Sequence, residues 1–264
     1  MTNKARSRLA SLTLLEIAAG IAVGTAATLP ASAQGAPPIP NWNGFYTGVH
    51  AGYRWGNADF TGNSYVITGG GGISITLPPR NEGYHPDGGI VGGHAGYNFQ
   101  FAPNWLLGIE GDITWGNGDD THNTTLSVQS TDGNTYRLNV TSELKLTWQG
   151  TVRGRLGYVA GPWLFYGTGG VAFARAEWSE LTSLTGPGGF TLAAAASSAS
   201  KTLTGFAAGA GAEYMIATNW IGRIEYLYEN FGGFDVPFGI GQTGHVDVED
   251  VHKIRVGISY RFGP

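Results

Sequence analysis

The sequence predicts an all-β fold, an eight-stranded antiparallel up-and-down transmembrane β-barrel. Three observations predict it. Apolar and polar residues alternate over stretches of about ten residues, the length a tilted strand needs to cross a bilayer. The connections between these stretches are by turns very short and very long. A tryptophan follows each short turn at once, at positions 105, 163 and 220, as an aromatic girdle at one membrane interface requires.

Composition narrows the classes. Glycine makes up 44 of 264 residues, more than twice its usual share of about 7%. Charged residues are only 13%, about half the norm for globular chains. The glycines follow no three-residue period, which excludes collagen, and the chain is too aromatic to be disordered. Without cysteine, neither a disulfide framework nor a thiolate metal site can form. A net charge of −4 carries no sign of a nucleic-acid partner.

The first segment reads as an export signal. Lys4, Arg6 and Arg8 form a basic start, and residues 9–29 are mostly apolar or small, with Glu16 the one charge among them. Ala31, Ser32 and Ala33 then place small residues before a cleavage point between Ala33 and Gln34. Residues 1–33 are therefore expected to be removed. Residues 34–41, with Pro37, Pro38 and Pro40, form a periplasmic lead, and 42–264 form the barrel. No later stretch approaches the roughly 20 apolar residues of a membrane helix. Periodicity, not mean hydropathy, points to the membrane.

Each strand is argued from its own alternation. In the first, Phe45, Thr47, Val49, Ala51, Tyr53 and Trp55 share one parity, and Tyr46, Gly48, His50, Gly52 and Arg54 the other. The second sets Val91, Ala95, Tyr97, Phe99 and Phe101 against Gly92, His94, Asn98 and Gln100. The third sets Trp105, Leu107, Ile109, Ile113 and Trp115 against Gly108, Glu110, Asp112 and Thr114. In the fourth, Leu144, Leu146, Trp148, Val152, Leu156 and Tyr158 oppose Lys145, Gln149, Thr151, Arg153 and Arg155. Residues 163–176 and 202–215 are rich in glycine and alanine; Glu213 marks the inward parity of the latter. The seventh sets Trp220, Ile224, Tyr226 and Tyr228 against Arg223, Glu225 and Glu229. The last alternates over eleven residues, from His252 through Ile254, Val256, Ile258 and Tyr260 to Phe262, against Lys253, Arg255 and Arg261.

Closure follows from solvent. In lipid an unpaired backbone N–H or C=O costs several kcal/mol, so strands can span only as a ring without edges. Eight strands leave an interior that side chains fill. The inward parity collects Arg54, Lys145, Arg153, Arg155, Arg223, Lys253, Arg255 and Arg261 against Glu110, Asp112, Glu213, Glu225 and Glu229. In so narrow a space these groups are expected to pair. Trp42, Trp105, Trp163 and Trp220 are the expected interface aromatics. Residues 57–88, 117–142, 177–201 and 230–250 are the long connections, and 193–200 reads as a low-complexity loop tip.

These segments resemble a known family. Asn41-Trp42-Asn43-Gly44-Phe45-Tyr46, Gly93-His94-Ala95-Gly96-Tyr97-Asn98 and Ile109-Glu110-Gly111-Asp112 carry the likeness. Gly150-Thr151-Val152-Arg153-Gly154-Arg155-Leu156-Gly157-Tyr158 and Tyr166-Gly167-Thr168-Gly169-Gly170-Val171-Ala172 continue it. Over roughly residues 41–264 the chain is similar to the small outer-membrane β-barrels of the opacity-protein and OmpA-transmembrane-domain type, most of all the alphaproteobacterial outer membrane immunogenic proteins. The resemblance implies short periplasmic turns, long extracellular loops and insertion into a Gram-negative outer membrane by the barrel assembly machinery, which reads a terminal strand ending in an aromatic. Tyr260 and Phe262 match that signal, although Gly263 and Pro264 follow where the family usually ends. Members are surface antigens, envelope-integrity proteins or nominal porins, and no enzymatic activity carries over.

The residues themselves offer little catalytic chemistry. His50, His94, His122, His245 and His252 with Asp247, Glu249 and Asp250 are the candidates for a hydrolase at the rim. No Gly-x-Ser-x-Gly elbow, H-E-x-x-H pair or P-loop lysine accompanies them. His50 and His94 share the inward parity of adjacent strands and are expected to meet as hydrogen-bonded lumen groups. The glycine runs at 69–72 and 167–170 lead into no helix, so no dinucleotide site is expected. No cofactor, metal or nucleic acid is expected. The expected partners are outer-membrane lipid, lipopolysaccharide, the assembly machinery and, at the loops, host or phage receptors. The favoured function is envelope integrity and surface display without catalysis; a small-solute, porin-like channel or a ligand-binding barrel is the alternative.

Overall fold

The computed structural model describes residues 41–68 and 74–263. The expected signal segment, its cleavage point at Ala33 and Gln34, and the lead up to residue 40 lie outside these residues.

The described chain is built of β-strands: β1 (Gly44–Gly62), β2 (Tyr65–Thr68), β3 (Ser74–Leu77), β4 (Arg80–Tyr84), β5 (Gly88–Ala102), β6 (Trp105–Gln129), β7 (Thr135–Ala160), β8 (Trp163–Thr185), β9 (Thr191–Met215), β10 (Trp220–Asn230), β11 (Gly232–Phe238) and β12 (Gln242–Phe262). Among them β1, β5, β6, β7, β8, β9, β10 and β12 pair antiparallel in chain order. The register from Phe45↔Phe262 to Trp55↔His252 then joins the last strand to the first. Eight strands form a closed ring. Three tight turns sit at the end where β1 begins and β12 stops. In one of them Gly161 takes a φ of 59°, a left-handed conformation that costs a residue with a Cβ about 1–2 kcal/mol.

Alternation sends one parity out of the ring. Phe45, Val49, Val91, Ile109, Val152 and Val256 are all well exposed, as lipid-facing side chains must be. At the short-turn end Trp105 meets Tyr158, Trp163 meets Tyr214 and Trp220 meets Tyr260, with ring centroids 5.4, 4.7 and 5.2 Å apart. At the other rim Trp55 stacks on His252 at 5.5 Å, and the Tyr226 hydroxyl lies 2.7 Å from the His252 ring. Aromatic bodies with polar tips suit both membrane interfaces.

Beyond that second rim the strands do not stop. β6, β7, β8 and β9 reach 25, 26, 23 and 25 residues, more than twice a membrane crossing. The long connections thus consist largely of paired strands, and the low-complexity segment 193–200 is one edge of β9. Here the ring parts into two sheets, β6-β7-β8-β9 and β4-β1-β12-β11. A core including Phe60, Tyr84, Leu144, Leu146, Trp178, Phe234, Val236, Phe238, Val246 and Val248 is buried within this region. A second cluster, with Ile75, Leu77, Val128, Leu138, Val140 and Leu184, packs the β2–β3 hairpin against β6, β7 and β8.

Two irregularities make this core possible. In β7 the register shifts between Leu146 and Trp148. Below it Gln149, Thr151, Arg153 and Arg155 are buried, and above it Leu144, Ser142 and Val140. The inward parity therefore changes from odd to even across Thr147, as one extra residue dictates. In β12 the switch falls at Glu249 and Asp250, opposite the register shift between Trp55 and Asn57, where Asp250 has a φ of 52°. Leu144 and Leu146, whose alternation assigns them to lipid, consequently point into the core.

Candidate functional site

The barrel interior is filled in layers, each supplied by the inward parity. At the short-turn end Trp42, Leu106, Val159, Leu164, Tyr166 and Ile221 form an apolar floor. Above it lies a layer of ions. Arg153 reaches Glu110, Asp112 and Glu225 at 2.8, 3.0 and 3.1 Å. Arg223 reaches Glu110 at 2.8 Å and Glu225 at 2.9 Å. Arg155 pairs with Glu213 at 2.9 Å and Arg255 with Asp112 at 3.0 Å. All eight side chains are at most 3% exposed, so the guanidinium and carboxylate charges cancel within one desolvated belt.

Neutral groups complete the belt. The Tyr46 hydroxyl donates to Glu110 at 2.7 Å and accepts from Arg155 at 2.8 Å. The Tyr166 hydroxyl donates to Glu225 and accepts from Arg223, both at 2.9 Å. Thr151 donates to Asp112. Glycines opposite the long side chains make the room: a Cβ on Gly211 would stand 2.6 Å from the Tyr166 ring carbon that bears the hydroxyl. His50 and His94 meet as their shared parity requires, with Nδ1 atoms 3.3 Å apart. Their outer nitrogens lie 2.9 Å from the Thr114 hydroxyl and 2.8 Å from that of Ser259. Lys253 binds Glu229 at 2.8 Å. Arg54 donates to Gln149 at 2.9 Å and to the carbonyl of Pro86 at 3.1 Å, joining the ionic layer to the connection before β5.

Two expected site residues stand elsewhere. Trp42 is fully buried, packed into the floor and not at the lipid interface. It precedes β1, where lipid-face alternation does not reach, and its backbone N–H is held by Gln100 at 3.2 Å. Lys145 lies above the Thr147 irregularity, so the inverted parity carries it to the outer face, where it pairs with Glu143 at 2.9 Å. Arg261 is buried at the short-turn end, on the inward parity where it is expected. It donates to the carbonyls of Asn43 at 3.2 Å and Thr218 at 3.0 Å, tying the last strand to the entry of β1 and to the turn between β9 and β10. Tyr46 was legible as inward only by its parity, and Tyr166 not at all, since the glycine-rich alternation around it assigns no face and a tyrosine on either face reads the same in sequence. Arg80 and Glu180 escaped sequence reasoning because their segments read as loops.

Arg80 anchors the sheets above the membrane. It bridges Glu82 and Glu180, both at 2.8 Å, and the Tyr84 hydroxyl donates to Glu82 at 2.9 Å. Burial would raise the Glu82 pKa, but the hydrogen bonds and charge of Arg80 outweigh it and hold the carboxyl below its usual value. On the outer face His245 sits 2.7 Å from Asp235 and 3.4 Å from Asp247. The hydrogen bond to Asp235 raises its pKa above the ordinary histidine value. Among the described residues no group of three or more His, Asp or Glu side chains is arranged to hold a metal ion.

The sequence profile described as "Outer membrane protein beta-barrel domain" matches residues 19–262. The chain belongs to this family. It is 31% identical to the 31 kDa outer-membrane immunogenic protein of Brucella melitensis, over 96% of this chain and 98% of that one. The 25 kDa outer-membrane immunogenic protein of Brucella abortus is 29% identical, over 92% and 97% of the two chains. The 22 kDa outer membrane protein of Rhizobium leguminosarum is 29% identical, over 87% and 83%. Among solved structures, the attachment invasion locus protein Ail of Yersinia pestis aligns with a TM-score of 0.37 at 14% identity, over 83% of this chain and 99% of that one. OprG of Pseudomonas aeruginosa aligns at 0.39 and 12%, over 84% and 97%. Membership accords with what the geometry offers chemically: a membrane-spanning ring whose interior is packed, carrying two stacked sheets beyond the bilayer.

Proposed function

We propose that this outer-membrane family member is a non-enzymatic surface protein, which stabilises the envelope and holds its two-sheet extension outside the cell. The observation that carries the reading is the filled interior. The apolar floor, the balanced ion layer and the apolar core lie one above another, and each leaves little for a solute to pass through or bind. The His50–His94 pair is enclosed with Thr114 and Ser259, away from any substrate in lipid or water, which supports the non-catalytic reading. Export with cleavage between Ala33 and Gln34, insertion by the barrel assembly machinery through Tyr260 and Phe262, contact with lipopolysaccharide at the upper aromatic rim, and recognition of the extension by host or phage receptors belong to the same proposal.

Planar-bilayer recording of the refolded protein tests it. A silent bilayer is expected; steady single-channel conductance would replace this reading with a porin-like one. Heat-modifiable gel mobility of the same preparation verifies that the barrel is folded. N-terminal sequencing of the envelope form should begin at Gln34.

A further inference from the structure

Four strand edges border the two sheets above the membrane, and three are blunted. β4 is five residues long and carries Arg80 and Glu82. β11 is seven residues long and contains Pro237, which cannot donate to a neighbouring strand. The β6 edge is covered: Asp120 accepts from the backbone of His85 at 2.7 Å, Thr124 donates to Glu82 at 3.2 Å, and Ile75 bridges to Ser130. Short strands, prolines and charges are the ordinary means of preventing a sheet edge from recruiting another chain.

The fourth edge lacks these over residues 192–200; its one charge, Lys201, and the neighbouring strand β11 lie lower down. Over 191–204 β9 pairs with β8 on one side, whereas β10 joins its other side only from Phe206 onward. No residue between 181 and 200 is charged. Residues 193–200 read Ala-Ala-Ala-Ala-Ser-Ser-Ala-Ser, a run without proline, and the strand stays extended throughout.

We propose that this edge of β9 pairs antiparallel with the same edge of a second copy of the chain. Self-complementarity selects this occupant. In an antiparallel pair centred on Ala196, Ala194 faces Ser198, Ala193 faces Ala199 and Leu192 faces Ser200, so small or neutral groups meet at every position. The same operation on β4 would set Glu82 against Glu82, which cross-strand pairing penalises. About nine residues, or some 30 Å of backbone, would be joined. The two-fold axis is perpendicular to the sheet and reverses the strand direction, so the two barrels point oppositely. The contact therefore links copies in two apposed membranes. This inference rests on the surface-display reading only for the exposure of the sheet outside the cell.

The absence of native cysteine makes a disulfide scan clean. Single cysteines replace residues 192, 194, 196, 198 and 200 in the folded protein in detergent, and variants are oxidised alone and in all pairwise mixtures. Cross-linked dimers are expected only for combinations whose two residue numbers add to one constant value, the signature of antiparallel register; Cα atoms of facing residues then lie within disulfide reach. Absence of dimers at every position, or cross-linking at a constant difference of residue numbers, would overturn the proposal, as would exclusive cross-linking to another envelope protein when the scan is repeated in cells. Vesicles carrying the protein should cluster, and Ala194→Lys with Ser198→Lys should abolish clustering while heat-modifiable mobility persists. Bilayer conductance reads the lumen and not the edge, so failure of this pairing and failure of the closed-barrel reading are separate results.

Discussion

Arg223 stands at the centre of the ionic belt, within 2.8 Å of Glu110 and 2.9 Å of Glu225. Replacing it with methionine keeps much of the volume but leaves buried carboxylates short of a counter-charge. Breaking a buried pair in this way costs about 3–5 kcal/mol. Arg223→Met should therefore lower the urea midpoint in lipid by that equivalent, whereas Lys145→Met, on the exposed outer face, should leave it within about 0.5 kcal/mol. His245 offers a pH test outside the membrane. Its folded pKa is raised by Asp235, so the contact contributes stability below the ordinary histidine value of about 6.5 and loses it as pH rises through the raised one. An NMR titration should place His245 above its ordinary value, and Asp235→Asn should return it. Titration at the ordinary value in the unaltered protein would show that the contact does not hold in solution.

At the scale of the element, the decisive features are the two points where inward parity changes. A strand with period two presents one parity to a given side unless a residue is added. Thr147 adds it in β7, and Glu249 with Asp250 does so in β12. Asp250 occupies the left-handed region at a φ of 52°, which aspartate tolerates better than a β-branched residue. Asp250→Val should cost about 1–2 kcal/mol and Asp250→Gly less, read as unfolding midpoints of the heat-modifiable band. Equal midpoints for the two variants would mean that the irregularity is not held as described. These same points explain what strand patterns left hidden. In residues 135–146 the parity facing lipid in the lower strand becomes the core parity, so Leu138 and Val140 are buried in a stretch whose polar neighbours make it read as a loop, and Leu144 and Leu146 in one that reads as lipid-facing.

For the whole molecule, the layers of the interior act in series. Removing one should weaken the barrel without opening it. Trp42→Ala deletes a fully buried indole from the floor, and such truncations cost about 3–5 kcal/mol. The variant should unfold at lower urea yet remain silent in a planar bilayer, because the ions and the upper core still fill the ring. Conductance from this single change would show that the floor alone is the seal. The extension obeys a different solvent from the barrel: its outer faces meet water, so Thr121, Asn123, Asn139 and Thr141 stand where Val, Ile and Phe stand lower down, and its apolar residues turn inward.

Alternation, turn length and the tryptophans after each turn determine a closed eight-strand barrel, because lipid allows no unpaired edge and water-free strands must sort their side chains by parity. The membership of Arg153, Arg155, Arg223, Arg255, Glu110, Asp112, Glu213 and Glu225 in its interior follows from the same rule. Which of these pair could be decided only by the curvature that brings non-adjacent strands across the lumen. Trp42 and Lys145 were likewise settled in three dimensions. The first lies before the alternation starts, and the second lies beyond an added residue that local pattern does not record. The continuation of the barrel into two facing sheets belongs to the tertiary structure as well, since an inward apolar face has meaning only once another sheet stands opposite to bury it.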